Sequence, residues 1–187
     1  MRITVYCGTM TGNSPVYEEA AEELGNWIGS QGHTLVYGGG CLGLMGIVSD
    51  AVLKAGGDVI GIIPQFLAER EISKEGLTEL HVVDSMPKRK TKMIELGDAF
   101  VSLPGGPGTV EEVTEVISLL KLARKHAPCI LYNIEGFYNS FLGFYDDMLR
   151  YGFMTQEERN LILEAKNIDE VADLVWKRDD YKPWWVE

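Results

Sequence analysis

The stretch PGGPGTVEE, residues 104–112, gathers three glycines, two prolines, a threonine and two glutamates into one corner. Glycine lacks a Cβ, so backbone N–H groups in such a corner can come close to an anion. The run that follows, VTEVISLLKLA, carries hydrophobic residues at helical spacing. The free N–H groups therefore fall at a helix N-terminus, whose partial positive charge favours phosphate. Two other corners share this chemistry. CGTMTGNSP (7–15) is rich in small and hydroxyl residues, and YGGGCLGLMG (37–46) contains G-x-G-x-x-G as Gly38, Gly40 and Gly43. A fourth stretch, PKRKTKM (87–93), concentrates Lys88, Arg89, Lys90 and Lys92 in an otherwise acidic chain. On a helix Arg89 and Met93 share a face, as do Met86 and Lys90. One or two of these cations then point at the sheet edge while the others stay in water.

Each stretch also has a plainer reading. Glycines make tight turns and close helix packing, and charge runs are usually solvated faces. A dinucleotide fingerprint asks for an acidic residue about 20 positions beyond its glycines. Asp58 is near that distance but precedes its strand, so NAD is a poor fit. Glu112 has two readings. Thr109 followed by Glu112 is a capping box, in which hydroxyl and carboxylate satisfy N–H groups at the helix start. Alternatively, a first-turn carboxylate is held ionised by the helix dipole, which suits stabilising a developing cation or orienting water. Three residues of helix rise about 4.5 Å, so Glu112 would reach the sugar of a phosphate held at Gly105–Thr109. Both readings stand on the residues alone.

The elements that position these corners alternate along the chain. Strand patterns occur at 3–7, 34–38, 58–63, 79–84, 98–103 and 128–133. Between them lie helix patterns at 15–31, 43–56, 87–97, 108–125 and 137–151, with tail helices near 155–164 and 168–178. This order predicts an α/β fold, a Rossmann-like, doubly wound, mainly parallel sheet flanked by helices, in one domain over 1–187. Ligands in such sheets collect beyond the carboxyl ends of the strands, where all three glycine corners fall. Segment 64–78 is the least regular and reads as a surface excursion beside the site. The closing YKPWW is aromatic enough for Trp184 and Trp185 to pack on the domain or a second subunit.

Composition narrows the partners. A formal net charge of -11 opposes binding to nucleic acid or an anionic membrane surface, while a small anion remains accessible to local donors. Cys7, Cys41 and Cys129 are odd in number and far apart, which reads as reduced thiols in a cytoplasmic protein rather than disulfides or a metal site. No apolar run approaches the roughly 20 residues of a membrane span. His33, His81 and His126 lie at element edges and read as structural or surface residues. No H-E-x-x-H, G-x-S-x-G or C-x-x-C pattern occurs, so neither metal nor cofactor is expected.

From about residue 3 to 176 the chain resembles the cytokinin riboside 5'-monophosphate phosphoribohydrolases, the Lonely Guy family, long labelled lysine decarboxylases. The resemblance rests on GGGCLGLMG, DVIGIIP, the Arg-Lys pair and methionine of MPKRKTKM, and PGGPGTVEE, which fits the family's P-G-G-x-G-T-x-x-E. It implies that Arg89 and Glu112 form a catalytic pair and that Gly105, Gly106, Gly108 and Thr109 cradle a 5'-phosphate. It also implies that Gly38, Gly39, Gly40, Met86 and Lys90 lie near the nucleotide. The implied reaction splits the N-glycosidic bond of a nucleoside 5'-monophosphate with water, in a homodimer whose subunits share the site. Glu112 would stabilise the cation at the anomeric carbon and orient water, and Arg89 would hold the substrate. Where the family commonly has histidine after the first methionine of that stretch, this chain has Pro87. Met45, Met93 and segment 64–78 are candidates for the base pocket. The alternative from another class is a non-catalytic nucleotide or molybdenum cofactor carrier, which is similar in fold and in the second glycine corner.

Overall fold

The computed structural model describes residues 1–69, 74–177 and 181–183. Seven strands make one sheet: β1 (Arg2–Tyr6), β2 (Thr34–Tyr37), β3 (Asp58–Pro64), β4 (Glu79–Val83), β5 (Ala99–Ser102), β6 (Cys129–Tyr132) and β7 (Ile162–Ala165). Their order is β4-β3-β2-β1-β5-β6-β7, and every pairing is parallel. Helices cover both faces, which is why β5 (AFVS) and β6 (CILY) are buried along their whole length and read as unbroken runs rather than alternations.

The helices described are α1 (Pro15–Ser30), α2 (Gly43–Lys54), α3 (Gln65–Ala68), α4 (Met86–Leu96), α5 (Pro107–Lys121), α6 (Asn139–Arg150), α7 (Gln156–Arg159) and α8 (Ile168–Leu174). Leu24 and Ile28 of α1, Val48 and Val52 of α2 and Val171 of α8 build the core on one face. Met93 of α4, Val113 and Val116 of α5 and Leu142 of α6 build it on the other. Winding therefore proceeds outward from β1 to β4, returns to the centre, and proceeds outward again from β5 to β7. The reversal lies between β1 and β5, the place where doubly wound sheets open a ligand crevice.

The helix expected at 155–164 is instead one turn, Gln156–Arg159, followed by the seventh strand. A capping box starts the turn: Glu158 N–H donates to Thr155 Oγ1 at 3.2 Å and Thr155 N–H to Glu158 Oε2 at 2.9 Å. The apolar run Leu161-Ile162-Leu163 is too short for its periodicity to separate helix from strand. The free edge of β6 decides it, pairing Cys129 with Ile162 and Tyr132 with Ala165.

Smaller differences follow local geometry. The helix expected to 125 ends at Lys121, and Ala123 turns the chain at φ 49°. A 3-10 turn over Ile134–Gly136 precedes α6. The tail helix ends at Leu174, short of the expected 178, which with Trp184 and Trp185 lies outside the described residues. Within segment 64–78, the described part closes on the second glycine corner, where Lys74 N–H donates to Gly39 O at 2.9 Å. Among the described residues no helix is long and apolar enough to cross a membrane.

Candidate active site

Helix α4 carries the chain from the edge strand β4 back to the centre, passing over β3, β2 and β1. Ser85 caps it, with Lys88 N–H 3.5 Å from the serine hydroxyl, and Pro87 sits in its first turn, where a missing N–H costs nothing. One turn in, Arg89 is buried and anchored to β3, its Nε–H donating to Ile62 O at 3.1 Å. Its Nη1 lies 3.9 Å from Met86 Sδ and 3.6 Å from Glu112 Oε1 on α5. Both partners of this ion pair are about nine-tenths removed from solvent.

Gly38, at the end of β2, makes room for the guanidinium. A Cβ there would stand 1.8 Å from Arg89 Nη2 and 3.1 Å from Met45 Sδ. Gly39 adopts φ 75°, a left-handed conformation that side chains resist, and Gly40 is buried beside it. Gly38 thus backs the arginine, whereas a Cβ on Gly39 would meet Ile62 and Ile63.

The capping box expected between Thr109 and Glu112 does not form. Gly106 is the N-cap of α5, which makes no side-chain cap bond, and the first turn holds no carboxylate. Glu112 is the sixth residue of the helix, beyond the reach of the terminal dipole. The Thr109 hydroxyl lies under the loop instead, where a Cβ on Gly105 would come within 2.2 Å of it.

The helix dipole is therefore not what sets the charge of Glu112. Burial pushes its carboxyl from 4.5 up to about 7, against the downward pull of Arg89, with Glu111 and Glu115 adding to the rise and Lys90 opposing it. Because the folded state holds this proton more tightly than the unfolded one, the associated stability is present in acid and is lost as pH rises through about 7. Relative to Glu112→Gln, the ligand-free protein is expected to lose about 3 kcal/mol between pH 4 and pH 8. Denaturant titrations of both proteins at the two pH values check it.

The pair opens on a cavity of about 230 Å³ beyond the carboxyl ends of β1 and β5. Met86, Arg89, Lys90 and Glu112 form one wall, and Gly106, Gly108 and Thr109 at the start of α5 form another. Gly106 and Gly108 face open space, with no atom within 4 Å of where a Cβ would be, so their surroundings leave room for a ligand. Gly105 stands behind them, and Gly8 N–H donates to Pro104 O at 3.0 Å, tying the β1 and β5 corners together.

Cys7, Gly8, Thr9, Met45, Pro107 and Glu111 complete the lining. Cys7 and Thr9 went unassigned in the sequence, although the corner that contains them did not. Burial pushes the Cys7 thiol well up, so it stands there as a neutral group. Met93, an expected base-pocket residue, lies in the core beneath α4 at 1% exposure. Lys90 lines the cavity but holds its ammonium 2.7 Å from Glu111 Oε1 and 3.0 Å from Glu115 Oε2.

Across the Gly106–Pro107 rim lies a more apolar chamber of about 370 Å³, with Tyr17 and Phe137 meeting edge-on at 6.3 Å. A hollow of similar size at the opposite strand ends, between Asp98, Lys125 and Trp176, has no glycine corner. Two of the three histidines have partners that fit a structural reading: His33 is wedged between Trp27 and Trp176, and His81 contacts Glu79 and Lys92.

Fold and site together define a class: a Rossmann-like α/β protein whose switch-point crevice sets a glycine-lined helix N-terminus beside a buried carboxylate and guanidinium. Comparison with known proteins narrows it. A family model described as possible lysine decarboxylase matches residues 45–175. The cytokinin riboside 5'-monophosphate phosphoribohydrolase LOG1 of Arabidopsis thaliana is 45% identical over 97% of this chain and 84% of its own. The enzyme LOG of Oryza sativa subsp. japonica is 44% identical over 97% and 74%. The chain belongs to this family of phosphoribohydrolases. Among solved structures, the molybdenum cofactor carrier protein of Chlamydomonas reinhardtii superposes with a TM-score of 0.69 over 94% of this chain and 98% of that one. Its 23% identity makes this a likeness of fold.

Proposed function

We propose that this protein hydrolyses the N-glycosidic bond of a nucleoside 5'-monophosphate, of the cytokinin riboside or AMP type, to free base and ribose 5-phosphate. The observation that carries the reading is the buried Arg89–Glu112 pair, 3.6 Å apart, opening on the glycine corner of α5. Family membership at 45% identity over nearly the whole chain supports it.

The phosphate rests on the N–H groups of Gly106, Gly108 and Thr109 at the start of α5. The ribose lies further along, against Glu112. As the bond to the base lengthens, its electron pair leaves with the base and positive charge grows on the anomeric carbon and ring oxygen. Ionised Glu112 stabilises that charge and takes a proton from the attacking water, and burial favours the neutral acid it becomes. A proton affinity near 7 suits a general base at neutral pH. Arg89 stays charged and orients the substrate, so the departing base takes its proton from solvent, and Glu112 gives up to solvent the one it took from water. On this assignment kcat/KM rises with pH through about 7 and levels off above it. A pH-rate profile checks the sign, since an acid role for Glu112 would give the opposite slope.

The protein works as a cytoplasmic homodimer whose subunits share the site, without nucleic acid, membrane, metal or cofactor. A chromatographic assay with AMP and with N6-isopentenyl-AMP tests the reaction. Release of base and ribose 5-phosphate supports it, and tight binding without release would favour a nucleotide carrier.

A further inference from the structure

Beside the reactive pair a second ionic link joins the same two helices. Arg89 and Lys90 are consecutive on α4. Arg89 reaches Glu112, while Lys90 reaches Glu111 and Glu115, one turn apart on α5, at 2.7 and 3.0 Å. The Lys90 side chain is only 15% exposed, and the Glu115 Oε2 it meets is sealed from solvent. Glu111 is 64% exposed and Glu115 36%, so the link runs from a largely buried cation outward to the surface. Arg89 is fixed at its other end by Ile62 O, and Gly38 leaves its guanidinium no slack. The spacing of the pair is therefore set by how α4 lies against α5, which Lys90 spans.

We propose that Lys90, Glu111 and Glu115 form a positioning clamp that holds Arg89 and Glu112 in register and balances the charge around the Glu112 carboxyl. Lys90 then acts on the reaction through Glu112 and not through the nucleotide. One peptide from Lys90 lies the arginine of the pair, and one peptide from Glu111 lies its carboxylate, so the clamp holds the two helix turns that carry the pair. The charged and titratable groups facing Glu112 are Arg89 and Lys90 of α4, Glu111 and Glu115 of α5, Tyr6 of β1 and Cys7 beyond it. Among these, Lys90 lowers the proton affinity of Glu112 and Glu115 raises it, so the two arms act in opposite directions.

The clamp rests on the assignment of Glu112 above, but its test does not. The Glu112 carboxyl is titrated by carbon-13 NMR in the ligand-free full-length protein, its resonance assigned with Glu112→Gln. In Lys90→Met the midpoint is expected to rise, and in Glu115→Gln to fall, each by about half a pH unit or more. With AMP or N6-isopentenyl-AMP, Lys90→Met is expected to lower kcat about tenfold or more with KM little changed, and Lys90→Arg to restore most of it. Midpoints unmoved in folded variants would overturn the clamp, as would a loss confined to KM, which would make Lys90 a substrate ligand. If Lys90→Met does not fold, Glu115→Gln carries the same test alone. Should wild type release no base, the enzymatic reading fails while the titrations still decide the clamp.

Discussion

Glu112→Gln is expected to lower kcat by about a thousandfold while the protein stays folded, the scale on which a positioned acid or base acts. Glutamine keeps the shape of the side chain and removes its charge and its capacity to accept a proton. Among the described residues the other carboxylate lining the cavity is Glu111, and it is engaged with Lys90, as is Glu115. The substitution removes a charge that burial opposes but leaves Arg89 without its carboxylate, the guanidinium keeping Ile62 O, so a thermal melt accompanies the kinetics. Nucleotide binding should persist, because the N–H groups of α5 are untouched and one negative charge near a phosphate is gone. Rapid-quench measurement of base release, with a binding titration, separates the two quantities. Unchanged turnover would sink the assignment of Glu112, and lost binding with normal turnover of bound substrate would make it a ligand group only.

Gly38→Ala is expected to reduce kcat/KM about a hundredfold with a modest effect on stability. The added methyl would stand 1.8 Å from Arg89 Nη2, so the guanidinium must leave its position. It can swing, which limits the structural cost, but only by giving up Ile62 O or the approach to Glu112. The mutant site would keep all its functional groups, with one out of place. Steady-state kinetics beside thermal melting check this. Near wild-type activity would mean that the arginine works from a second position.

Gly38 also illustrates what could be read from the sequence. Its corner was evident from glycine density, yet the expected reason was backbone approach to a phosphate, whereas the structure uses the missing Cβ for a side chain 51 positions away. Alternating strand and helix patterns exposed six strands of the sheet. The seventh hid in Leu161-Ile162-Leu163, where only the open edge of β6 decides between two conformations. Arg89 and Glu112 were legible through family motifs. The proton affinity of Glu112 was not, because it depends on how deeply α4 and α5 enclose it, and no local window contains that burial. Glu115 escaped notice because a glutamate at helical spacing looks like a solvated face until its partner is known.

The reversal of winding between β1 and β5 has a consequence for how the chain becomes active. Arg2 N–H meets Asp98 Oδ2 across 96 positions, so the centre of the sheet closes only after β2, β3 and β4 have been made. Such distant pairings are slow to form, because chain entropy is lost before contacts reward it. Helix α4, which makes the return crossing, brings Arg89, and α5, made after β5, brings Glu112. During synthesis the first four strands can associate while no reactive pair yet exists. Activity therefore requires that the two halves of the sheet be joined, and its recovery during refolding is expected to follow that event.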